Sequence, residues 1–65
     1  MVDEAKIREY YASLNSITAD LDVMTQAAEE EDEKQELEGL HRLAVRLTNK
    51  VRAYIAENLF RALVQ

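Results

Sequence analysis

The chain holds 65 residues, enough for one domain, and its 48% hydrophobic content includes only 6% aromatics, so any core is aliphatic and thin. Zero Pro and a single Gly, Gly39, leave little to break helices or build tight turns, which argues against all-β and α/β folds, and the absence of Cys excludes a disulfide framework, a thiolate zinc site and a thiol nucleophile. The net charge of −5 is divided unevenly: residues 1–38 hold twelve acids and three bases, whereas residues 39–65 hold five bases and one acid, Glu57.

In the first half, apolar residues fall at Ile7, Tyr10, Leu14, Ile17, Leu21, Met24 and Ala28, alternating steps of three and four that mark a helical seam. Asp3 and Glu4 stand at the expected N-terminus, where carboxylates complement the exposed amides and the macrodipole. The spacing predicts helix 1 over about 3–29, running unbroken through the weak helix formers Asn15, Ser16 and Thr18.

Glu29 to Glu38 carries seven acids in ten residues. The step from Ala28 to Leu37 turns an ideal helix by about 900°, so a continuous rod would change its apolar side midway. A reversal at about 30–32 instead lets the two stripes face each other. Asp32 with Gln35 resembles a capping box and places Glu33 and Glu36 in the following first turn.

A second seam, Leu37, Leu40, Ala44, Leu47, Val51 and Tyr54, predicts helix 2 over about 33–63. Further apolar residues widen that stripe toward the C-terminus until it wraps most of the helix. The expected fold is all-α: a single domain over 1–65, an antiparallel, coiled-coil-like two-helix hairpin that dimerises into a four-helix bundle. Pairing is expected because one narrow seam buries too little area to offset the ordering of the whole chain. The expected partner interface is Leu43, Val45, Leu47, Val51, Ile55, Leu59, Phe60 and Leu63. The acids of the first half would lie beside the bases of the second and select direction and partner.

Four groups of residues bear on chemistry. Glu38 and His41 have the Glu-x-x-His spacing of di-iron carboxylate bundles, yet His41 is the only imidazole and Glu9 and Glu29 to Glu31 lie off the helix 1 seam, so no metal or other cofactor is expected and a solvated pair is the plainer reading. An exposed His on a dimeric bundle also suits phosphoacceptor chemistry, although His41-Arg42-Leu43-Ala44 offers no acidic partner after the imidazole. The acidic surface of Glu29, Glu30, Glu31, Asp32 and Glu33 could imitate nucleic-acid phosphates, against the plainer reading of a solvated turn. Arg42, Arg46 and Lys50 line one helical face near Arg52, and pairing with acids of this or another chain is expected in preference to direct nucleic-acid contact.

Tyr10, Tyr11, Tyr54 and Met24 read as packing residues, and Asn58, seven residues beyond Val51, as a polar register device. Lys34-Gln35-Glu36-Leu37-Glu38 resembles, over five residues, the Ser-Gln-Glu-Leu-Asp segment of small two-helix aspartyl-phosphate phosphatases of sporulation regulators. Lys replaces the Ser and Glu replaces the acidic residue that carries that family's catalysis, so its activity does not carry over. In length and pattern the chain is also similar to the two-helix chaperones of type III secretion needle subunits, a resemblance that implies folding with a partner.

The expected function is a small acidic, non-enzymatic interaction module, regulatory, chaperone-like or structural, that completes its core by self-association or with a helical protein. The alternatives are an acidic mimic of nucleic acid that inhibits a basic-cleft protein, and a Glu-x-x-His metal or phosphotransfer bundle. Neither a membrane nor a small-molecule substrate is expected: the longest uncharged stretches fall well short of the roughly 20 apolar residues of a span. Met1 to Glu9 mixes acids with bases, so a cytoplasmic location without an export signal is expected.

Overall fold

The computed structural model describes the chain from Asp3 to Val64, with side-chain surroundings defined from Asp3 to Asn58 and at Arg61. Two helices, α1 (Glu4–Ala27) and α2 (Glu31–Val64), pack against each other as an antiparallel hairpin measuring 52 × 17 × 15 Å. Among the described residues there is no strand, and no helix is long and apolar enough to cross a membrane.

Asp3 caps α1: its backbone is extended and its Oδ1 accepts a hydrogen bond from the Lys6 amide at 3.2 Å, satisfying one of the donors left over at a helix start. At the other end Ala28 leaves the helix with extended angles, and its amide still reaches the Thr25 carbonyl at 3.4 Å. The chain reverses through residues 28–30 without glycine or positive φ. α2 starts at Glu31, two residues before the expected start, and the Lys34 amide already bonds the Glu30 carbonyl at 2.9 Å. Asp32 therefore lies inside the first turn beside Glu31 and Glu33, where three carboxylates meet the positive end of the helix dipole, and it does not serve as the cap.

The seam is rotated from the expected one. Ile7, Leu14, Leu21 and Ala28 face α2 as expected, but the residues that complete the stripe are Tyr11, Thr18 and Thr25, all half-buried, whereas Tyr10, Ile17 and Met24 are exposed. α2 repeats the pattern: Leu37, Ala44 and Val51 are joined by His41, Thr48, Ile55 and Asn58, while Leu40, Leu47 and Tyr54 stay exposed. The apolar stripe of each helix is wider than the arc one neighbour can cover, and small side chains at the contact let the two backbones approach.

Only Leu37, at 9% exposure, and Thr48, at 8%, are buried among the described residues. Thr48 sits mid-seam, its hydroxyl 3.3 Å from that of Thr18, so the two residues stand at one level. Each hydroxyl also lies 2.7 Å from a carbonyl four residues back in its own helix, Leu14 for Thr18 and Ala44 for Thr48. Two hydroxyl protons thus serve three contacts. Thr25 bonds the Leu21 carbonyl in the same way at 2.7 Å, which lets a polar side chain enter the seam with its donor satisfied locally.

Candidate interaction surface

The rotation of the seam creates the main surface feature of the molecule. Tyr10, Ile17 and Met24 recur every seven residues along α1, and Leu40, Leu47 and Tyr54 do so along α2. In each helix these positions lie about 80–100° to the same hand of the seam. Because the helices run antiparallel, both stripes emerge on one broad side of the hairpin. The level set by Thr18 and Thr48 pairs them across the seam as Tyr10 with Tyr54, Ile17 with Leu47 and Met24 with Leu40. The six range from 39% exposed, at Tyr54, to 53%, at Tyr10. Leu43, 59% exposed, extends the face along its outer edge.

The opposite side is polar. Arg8, Asn15, Asp22, Glu38, Asn49 and Arg52 are all exposed there, with Val45 the one large apolar residue among them. The molecule is therefore amphipathic twice over, first at the level of each helix and again at the level of the hairpin.

Of the expected interface residues, Leu43 and Leu47 lie on the apolar face, Val45 lies on the polar side, and Val51 and Ile55 are half-buried in the hairpin's own seam. The side chains of Leu59, Phe60 and Leu63 fall outside the described residues. Sequence reasoning assigned Tyr10, Ile17, Met24, Leu40 and Tyr54 to the internal seam. The signal that would have placed them outside is Thr18 and Thr25, seven residues apart on α1, with Thr48 facing Thr18 from α2.

Glu29, Glu30, Glu31, Asp32 and Glu33 are all exposed and cover the tip of the hairpin. Interhelical pairing between acids and bases is not what the structure forms: among the described residues the one ion pair is Arg61 to Glu57, 3.0 Å, within α2 and well exposed on both sides. Arg52 donates instead to Asn49 Oδ1 at 2.8 Å, and Arg42, Arg46 and Lys50 point to solvent. Asn58 is half-buried near Ile7 at the open end, and its Nδ2 donates to the Tyr54 carbonyl at 3.0 Å, so its polar group is spent within its own helix.

Glu38 and His41 line an open depression on the polar side together with Asp22, Thr25 and Arg42. Among the described residues no three acidic or imidazole side chains converge as metal ligands. No protein-family model, curated protein or solved structure matches the chain.

Proposed function

We infer that the chain is a cytoplasmic, non-enzymatic association module whose apolar face binds a helical protein surface. The observation that carries this reading is the six-residue face itself: all six of its residues are large and apolar or aromatic and stay exposed, whereas the seam that holds the hairpin together gives five of its fourteen positions to Thr18, Thr25, His41, Thr48 and Asn58. An apolar patch of this regularity on a small monomer marks a protein contact. Its seven-residue repeat along two helices suits the ridges of further helices rather than a flat or irregular partner.

Placing a photo-crosslinking amino acid at Leu47 in living cells, with the same group at Arg52 on the polar side as control, tests the reading. We expect a protein adduct from position 47 and little from 52. Equal, background-level yields from both would remove it, and cell fractionation of the same samples reads the proposed location. Retention of the adduct at high salt separates hydrophobic association from occupation of a basic cleft by the acidic tip, which screening would weaken.

A further inference from the structure

We propose that the apolar face is covered by a second copy of this chain, turned end for end about a two-fold axis that crosses the Ile17 and Leu47 level at right angles to the helices. The proposal rests on the association reading above and names its partner. Three observations support a second copy in this orientation.

The first is area. A compact protein of 7.5 kDa exposes roughly 4,200 Å². This hairpin exposes 5444 Å², an excess of about 1,200 Å². A standard interface removes about 800 Å² from each partner, so one self-complementary contact on one face brings the chain near the surface expected for its mass. The radius of gyration agrees: 15.2 Å, against about 11 Å for a compact domain of this length.

The second is the layering. The three exposed pairs are spaced evenly, about 10.5 Å apart, with Ile17 and Leu47 in the middle. Rotation about an axis through the middle layer places Ile17 against Ile17 and Leu47 against Leu47 of the other copy. It sets the bulky Tyr10 and Tyr54 layer of each hairpin against the Met24 and Leu40 layer of the other. Thioether and aromatic rings pack well, and Met adapts to the shape it meets. A two-fold axis along the helices would instead crowd four tyrosines into one layer and leave two Met and two Leu side chains in another.

The third is charge. The tip from Glu29 to Glu38 carries seven acids, whereas the rest of α2 carries Arg42, Arg46, Lys50, Arg52 and Arg61 against Glu57 alone. An axis along the helices would bring two acidic tips together. The crossed axis lays each tip beside the open end of the other hairpin, within side-chain reach of Lys6 and Arg61. It sets the acids of each tip against Lys6 and Arg61 of the other copy and keeps the two tips apart.

The test uses sedimentation and engineered cysteines, which the native chain lacks. At micromolar concentration the wild-type chain should be folded and sediment with twice its 7.5 kDa mass. Under mild oxidation Ile17→Cys and Leu47→Cys should each form a disulfide-linked dimer on its own, whereas Val23→Cys, on the outer side of α1, should not. A monomer, folded or unfolded, or a mass other than two copies overturns the self-pairing. Crosslinking only when the Ile17→Cys and Leu47→Cys chains are mixed overturns the orientation, because an axis along the helices sets residue 17 of one copy against residue 47 of the other. A monomer that still gives an adduct with a different protein from position 47 in cells would remove the second copy and leave the association reading standing; loss of both signals would remove both.

Discussion

At the scale of single residues, the seam shows how few contacts hold the hairpin. Leu37 is the one buried aliphatic side chain among the described residues, so Leu37→Ala should lower stability by about 2–4 kcal/mol, whereas Val23→Ala, at a site 65% exposed, should change it by under about 0.5 kcal/mol. Urea unfolding followed by circular dichroism compares the two. The Thr18 and Thr48 pair behaves differently. Each hydroxyl has its own carbonyl acceptor, so Thr48→Val leaves no donor stranded, and the double variant Thr18→Val, Thr48→Val should be neutral or more stable by up to about 1 kcal/mol. The same unfolding measurement reads it; a loss of more than about 2 kcal/mol would show that the hydroxyl contact carries the seam's stability.

At the scale of the helices, the order of elements and the reversal between them were legible in the residues, and the rotation of the seam was not. The steps of three and four defined both helices, Asp3 and Glu4 marked the first start, and the shift of apolar phase between Ala28 and Leu37 required the turn. Positions Ile7, Leu14, Leu21 and Ala28 belong to either choice of seam, however, and hydropathy alone favours Tyr10, Ile17 and Met24 over Tyr11, Thr18 and Thr25 as their companions. What decides is tertiary: one helix covers only part of a wide stripe, and a threonine bonded to its own helix packs closer than an isoleucine. The candidate surface was missed for the same reason, since its residues were assigned to the interior. Gly39 is a second feature of α2 with a measurable consequence. It lies inside the helix with nothing within 4 Å of where a methyl group would stand, so no packing reason requires glycine. Gly39→Ala should stabilise the protein by about 0.5–1 kcal/mol and raise the thermal midpoint by several degrees, about 4–8 °C per kcal/mol at this chain length, read by thermal circular dichroism.

At the scale of the whole molecule, a rod 52 Å long with two buried side chains among its described residues depends on what lies against its open face. If that face is covered by another copy, stability is linked to concentration, and the thermal midpoint of the wild-type chain should rise as the protein is concentrated. Leu40→Asp should remove that dependence and lower the midpoint. In a lone hairpin the same substitution, at a site 51% exposed, would cost under about 0.5 kcal/mol. Thermal scans over a dilution series distinguish the two cases.

The antiparallel course of the chain also fixes where attachments go. Asp3 and Val64 leave the rod at the same end, opposite Glu29 and Glu30. A fluorescent tag on either terminus therefore stays clear of the acidic tip of its own copy, and in the crossed pair two tagged copies carry their labels at opposite ends of a rod about 52 Å long. Energy transfer between such labels would be lower than for pairing about the long axis, which would bring them side by side.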